Sequence, residues 1–367
     1  MAKNPDVAIV GGGVVGTAIA WRLAQEGRSV AVLERGEIGR EASWAAGGIL
    51  TPVHLADYPA PLAALCDASA KLYPDLIREL RDYSAADPEY RVSGFLILER
   101  NDVEAQHTAD LEAFKRRNGL PVERLSLDAL RALQPGLADD VRGGLLLPDI
   151  AQVRNPRMAV ALAEAAQKKG VEIRRNSPVT GFLRVPGRVN GVRTAQGDVY
   201  AGTTIIAAGA WSADVLKPLG LTLAVKPIKG QILLTQAAPG LLGPVIEAAD
   251  TYLIPRADGK ILIGSTLEDV GFDKTVTLDA LGSLSSRAAA ILPALGKLPL
   301  VTSWAGLRPS TPDRLPYIGK TGLDGLLVAT GHFRNGILLA PITAQLVAEL
   351  LAGKEPSIDL APFNPQR

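Results

Sequence analysis

The sequence is poor in the residues that build disulfides and metal centres. One cysteine, Cys66, among 367 residues excludes an intramolecular disulfide and any multi-thiolate metal site. Histidine occurs only at His54, His107 and His332, with no ligand-like spacing, so no metal is expected; His54 and His107 read as surface or loop residues. Net charge is nearly absent, 39 Lys and Arg against 38 Asp and Glu. That leaves no global field to draw in nucleic acid or an acidic membrane, and small molecules are the expected partners. No apolar run reaches the roughly 20 residues that span a bilayer, and no charged-apolar-small leader precedes the first strand pattern. A reducing, cytoplasmic setting without stable membrane insertion is expected.

The residues present suit a compact enzyme of α/β class with α+β insertions: 47% are hydrophobic, 21% charged, and there are 37 Gly and 26 Pro. The length suggests two or three folding units. The stretch VAIVGGGVVGTAIAWRLAQEGRSVAVLER reads as strand, glycine turn, Ala-rich helix, a stop at Gly27 and a second strand. Residues 60–84 and 102–119 carry helical periodicity, while GFLILER and RGGLLLP read as strands. A helix over 156–170 opens at Pro156 with Asn155 as its N-cap and stops at Gly170. Short strands follow up to TTIIAAG, strand-like runs alternate with turns over 221–305, and the last segment is again strand, glycine turn and long helix. No internal repeat, low-complexity tract or long linker interrupts this order. It predicts a Rossmann-like domain made of 1–84, 145–220 and 306–367, and a mixed or antiparallel sheet domain made of 85–144 and 221–305.

Gly11, Gly13 and Gly16 form a G-x-G-x-x-G pattern at the first strand-to-helix junction, and Glu34 follows 21 residues after Gly13. The first glycine makes the tight turn, the second lets backbone approach a pyrophosphate, and the third lets helix and strand pack closely. The pyrophosphate then meets the positive end of the helix dipole. Glu34 would accept from ribose hydroxyls and disfavours a 2′-phosphate. FAD and NAD both fit this pattern.

The segment GREASWAAGGIL at 39–50 adds small residues suited to a flat ring lying against main chain, among them Ala42, Ser43, Ala46, Gly47 and Gly48. Together with TTIIAAGAW, WAGLRPSTPDRLPYIG and VATGHFRNGILLAP, it resembles the D-amino-acid oxidase family of FAD-dependent oxidoreductases. Within that family the resemblance is to the bacterial glycine oxidases of the thiamine pathway, and it covers nearly the whole chain. It implies a non-covalent FAD in a glutathione-reductase-type fold, a homo-oligomer, and oxidation of glycine, sarcosine, D-alanine or D-proline with oxygen reduced to hydrogen peroxide. It implies cofactor contacts at Val14, Val15, Arg35, Ile49, Val179 and Gly209 besides those named. The loop and helix start at His332, Phe333, Arg334, Asn335, Gly336, Ile337 and Leu338 would lie against the isoalloxazine ring, where a helix N-terminus favours the reduced form. Cys66 lies outside these motifs, against covalent attachment.

The same resemblance puts the substrate carboxylate on Arg308, which a guanidinium fork grips bidentately, with Arg334 close by. Tyr252 would reach that carboxylate through its hydroxyl, and Leu267 would supply an apolar wall. No certain catalytic side chain emerges, because hydride transfer to the flavin requires no base at carbon; for His332 packing outweighs acid-base work. The alternatives are a dehydrogenase of D-amino acids, proline or sarcosine passing electrons to a quinone or partner protein, and a non-catalytic flavin-binding subunit.

Overall fold

The protein is described from a computed structural model covering residues 4–50, 58–248 and 250–367; His54 lies outside the described residues. A six-stranded sheet has the order Tyr317–Lys320, Leu326–Thr330, Thr203–Ile206, Val7–Val10, Val30–Leu33, Glu172–Arg174. It is parallel except for Tyr317–Lys320, which runs antiparallel at one edge. Strand alternation sorts its side chains into two layers. Val7, Ile9, Val30 and Val32 meet the helices Val14–Gln25, Ala60–Tyr83, Asn155–Lys168 and Gly336–Leu351, while Ala8, Val10 and Leu33 meet a three-stranded sheet over 179–200.

The helix Val14–Gln25 ends where expected, with Gly27 at φ +80°. The helix predicted from 156 begins at Asn155, and its N-cap is Arg154 without a side-chain cap. Asn155 is not the cap. Its amide is used elsewhere, donating to the Ser43 and Trp44 carbonyls at 2.7 Å each.

Pro341 sits inside Gly336–Leu351, where its missing N–H leaves the Ile337 carbonyl without its helical donor. The helix Ala60–Tyr83 supplies a replacement: the Tyr73 hydroxyl donates to the Ile337 carbonyl, and one turn away Ser69 Oγ donates to the Leu338 carbonyl at 2.6 Å and accepts from the Ile342 N–H at 3.4 Å. Cys66 lies on the same buried face, fully enclosed.

The second large sheet has eight strands: Leu300–Ser310, Lys226–Gln236, Lys260–Gly264, Thr251–Pro255, Val245–Ala248, Phe95–Glu99, Gly143–Leu147 and Glu123–Leu125. Every pairing is antiparallel except that of Val245–Ala248 with Phe95–Glu99. One face buries Leu96, Ile246 and Leu253 against the helix Leu278–Ile291, and the other carries Phe95, Ile232, Tyr252 and Ile254. Residues 145–147 and 306–310 thus belong to strands of this sheet, across the boundaries expected from the sequence.

Leu278–Ile291 replaces part of the strand-and-turn pattern expected over 221–305. Thr277 Oγ1 caps it by accepting from the Ala280 N–H, Asp279 lies in the first turn, and Ala280, Leu284, Ala288 and Ile291 form its buried stripe. His107 is half-buried within the helix Asp102–Arg117 rather than on a loop.

Candidate active site

A cavity of about 1030 Å³ lies between the carboxyl ends of the parallel strands and the Tyr252 face of the eight-stranded sheet. Carboxyl ends of parallel strands are where open α/β sheets bind ligands. Of the residues expected at a cofactor or substrate, only Gly16 and Leu338 are not on its wall. Gly16 acts in packing, since a Cβ there would stand 2.0 Å from the Gly11 carbonyl oxygen. Leu338 is in the helix-layer core.

The glycine loop is shaped by contact on every side. Gly11 takes φ +112°, and a Cβ on it would meet the Ala207 carbonyl at 2.4 Å. Glu34 braces the loop directly: its carboxylate accepts from the Gly12 N–H at 2.8 Å and the Gly36 N–H at 2.9 Å. Gly13 starts the helix without a side-chain cap of its own, and the Val14 N–H donates to Ser43 Oγ at 2.9 Å. The segment at 42–49 is thereby tied to the helix N-terminus, where orphan N–H groups and the dipole favour a phosphate.

Gly48, at φ +78°, would place a Cβ 2.1 Å from the Val153 carbonyl oxygen, and a Cβ on Gly47 would press on Ile254 at 2.7 Å. Only glycine fits at 48, whereas a side chain at 47 would have to displace the Ile254 methyl. Arg256, buried outside the cavity, donates to the Gly47 carbonyl at 2.7 Å. No motif marks Arg256 for this role.

Near Glu34, the Arg35 guanidinium lies 3.6 Å from the centre of the Trp211 ring and donates to Glu41 at 2.7 Å. Trp211 stacks on Phe272, and Lys274 pairs with Glu41 at 3.0 Å. Both partners come from 265–277, an irregular strap between Lys260–Gly264 and Leu278–Ile291. Buried Lys229 secures the strap's base, pairing with Glu268 at 2.9 Å and Asp273 at 3.5 Å. Leu267, expected as an apolar wall, lies in this strap with half its surface exposed.

At the other side of the cavity, strand register lines up Ile97, Glu247, Tyr252, Gly264, Ile232 and Trp304 as one cross-strand row. Tyr252 lies flat against Gly264, where a Cβ would stand 2.7 Å from its ring, and Arg308 lies on Gly230, where a Cβ would stand 2.2 Å from both terminal nitrogens. Arg308 donates to Ser265 Oγ at 2.6 Å and the Thr266 carbonyl at 3.2 Å, and has no carboxylate partner among the described residues. Burial lowers its pKa, and neighbouring Tyr252 partly offsets that. Arg334 is exposed, its guanidinium 5.5 Å from the centre of the Phe333 ring.

His332 has its Nε2 3.0 Å from Thr343 Oγ1, and burial pushes its pKa down to about 3. The lowered pKa keeps the imidazole uncharged at neutral pH, on the cavity wall. Phe333 next to it takes φ +46°, a region bulky side chains avoid, in the turn that delivers Gly336–Leu351 to the cavity. That helix also lacks a side-chain cap at its start. Glycine cradles, two helix N-termini whose own N-cap residues supply no side-chain cap, and a cavity of this volume fit a dinucleotide flavin. Among the described residues no cluster of His, Cys, Asp and Glu could hold a metal, and no helix is long and apolar enough to cross a membrane.

Comparison with known proteins points the same way. A family model described as FAD dependent oxidoreductase matches residues 6–350. A glycine oxidase of Pseudomonas aeruginosa is 43% identical over 98% of each chain. The crystal structure of glycine oxidase from Geobacillus kaustophilus superposes with a TM-score of 0.95 at 36% identity, covering 100% of this chain and 99% of that one. An L-proline dehydrogenase from P. horikoshii gives 0.89 at 25% identity, covering 100% and 98%. With a dinucleotide cradle and an unpaired arginine opening on one cavity, the chain belongs to the D-amino-acid oxidase family of FAD-dependent oxidoreductases.

Proposed function

We propose that this chain is an FAD-dependent oxidase of glycine and other small amino acids or amines, among them sarcosine, D-alanine and D-proline. The observation that carries the reading is Arg308, a half-buried guanidinium on the wall of the flavin cavity, bonded only to neutral oxygens. Such a cation calls for an anion, and a carboxylate matches its fork. Tyr252 packs beside it and Arg334 adds charge from the helix start, so the substrate is held by its carboxylate with its α-carbon fixed in place. When bound, the flavin supplies the hydride acceptor.

The chain's contribution is position and exclusion of water. His332, neutral and engaged with Thr343, takes no proton from carbon. The amino acid reacts with its amine uncharged, losing hydride from the α-carbon to give an imino acid. Water then yields the 2-oxo acid and ammonia or an amine, while oxygen becomes hydrogen peroxide. An imine released before hydrolysis would serve thiazole formation for thiamine.

Non-covalent FAD held by the cradle residues, a cytoplasmic location and a homo-oligomer belong to the same proposal. So does a division into a flavin unit built on the parallel sheet and a substrate unit built on the eight-stranded one. The absence of Cys66 from the cavity wall supports non-covalent binding.

Arg308→Ala removes a desolvated charge-assisted pair of about 2–5 kcal/mol. The Michaelis constant for glycine rises accordingly; an unchanged value overturns the assignment. Peroxide assays over a panel of small amino acids rank the substrates. The likeness to L-proline dehydrogenase favours one second reading, electron transfer to a carrier other than oxygen. Anaerobic reduction by substrate followed by air separates the two, because rapid reoxidation with peroxide release marks an oxidase.

A further inference from the structure

Arg256 lies behind the cavity wall, just past Thr251–Pro255 in the hairpin leading to Lys260–Gly264, and is 6% exposed. Its guanidinium donates to the Gly47 carbonyl at 2.7 Å and to the Val153 carbonyl and Gln152 Oε1 at 2.9 Å each. All three acceptors are neutral. The nearby carboxylates Glu89 and Asp258 make ion pairs with Arg154 instead. Burial holds the pKa of Arg256 at about 10, low for an arginine yet still charged at neutral pH.

A full charge taken out of water is costly without an opposite charge, and linking three oxygens does not require one. What a charge adds is polarisation. The Gly47 carbonyl and the Gly48 N–H belong to one peptide group, so a cation on the oxygen strengthens the N–H as a donor. That N–H has no acceptor among the described residues, and Gly48 lines the cavity. Nor is the peptide free to turn: the Val153 N–H holds the Gly48 carbonyl at 2.8 Å, and Gly48 is fixed at φ +78°.

We infer that Arg256 is a positioning residue for the flavin, conveying positive charge through the Gly47–Gly48 peptide to the bound ring and so favouring its reduced state. The inference rests on the reading that the ring lies against the 46–49 loop.

The test is the two-electron midpoint potential of purified holoenzyme at saturating FAD, with melting temperature measured in parallel. Arg256→Gln keeps donors and removes charge; Arg256→Lys keeps charge. For Arg256→Gln the expected result is a more negative potential, a change of about tenfold in the redox equilibrium, or about 30 mV for a two-electron couple. For Arg256→Lys the potential stays at the wild-type value. An unmoved potential in Arg256→Gln, or an equal displacement in Arg256→Lys, overturns the inference and leaves a structural role.

If Arg256→Gln does not fold, Asp258→Asn decides, because it strips from an exposed hairpin a carboxylate that is bonded to Arg154 but whose field also reaches Arg256. Its potential should move positive, and no movement overturns the inference. Wild-type chain that takes up no FAD would instead remove the flavin reading beneath it, so the two failures are distinct.

Discussion

Gly230 decides where Arg308 can lie. The guanidinium rests on the bare backbone of a strand, and any side chain at Gly230 would occupy the space of its two terminal nitrogens. Gly230 has no positive φ, so alanine is tolerated by the backbone itself. For Gly230→Ala we expect a displaced Arg308, a Michaelis constant for glycine raised by roughly 10- to 100-fold, and a melting temperature within a few degrees of wild type. Steady-state kinetics beside thermal unfolding check this, and a normal Michaelis constant would show that Arg308 does not hold the substrate. A glycine inside an apolar strand run was visible in KGQILL, but the arginine above it comes from a strand some 78 residues later.

His332 makes stability depend on acid. Its folded pKa, about 3, lies below the ordinary 6.5, so between these values the unfolded chain binds the proton first. Its contribution is intact above about pH 6.5 and is lost as pH falls through that window. His332→Gln, which keeps a partner for Thr343 and does not titrate, should flatten the fall in melting temperature between about pH 6.5 and 4. A curve parallel to wild type would mean that other groups govern acid unfolding.

At the scale of elements, the strap at 265–277 joins a strand of one sheet to residues beside the other. Its Phe272 stacks on Trp211 with ring centres 5.3 Å apart, and Trp211 in turn carries Arg35. An aromatic stack contributes about 0.5–1.5 kcal/mol and a half-exposed pair such as Lys274 with Glu41 less. Phe272→Ala should therefore release FAD up to about tenfold faster, with turnover unchanged at saturating FAD. Recovery of free-flavin fluorescence after dilution measures the rate; an unaltered rate would mean the strap does not retain the cofactor.

Over the whole molecule, legibility follows sequence distance. Within the Gly11 to Gly16 turn, Gly16 is demanded by backbone five positions away, as the 2.0 Å approach of its Cβ to the Gly11 carbonyl shows, and Glu34 lies 22 residues from the Gly12 N–H it accepts; Gly11, held against Ala207, is legible from the motif alone. The helix Leu278–Ile291 is hidden in the sequence although its Thr277 cap and apolar stripe are plain, because strand-like runs flank it on both sides. Asn155 looked like a cap because residue type and position agreed, yet two carbonyls 111 and 112 residues earlier claimed its amide. Arg256 was invisible for the same reason: its acceptors lie 103 to 209 residues away. Family resemblance, not spacing, brought Arg308 and Tyr252 into view.

The enclosure of Cys66 also has a use at the bench. The thiol is fully buried in the helix layer, and burial pushes its pKa up, so it is shielded from thiol reagents while the fold holds. A cysteine introduced on the surface, for example by Val270→Cys in the strap, therefore provides one selective attachment point for a spectroscopic probe. The native sequence needs no prior removal of thiols.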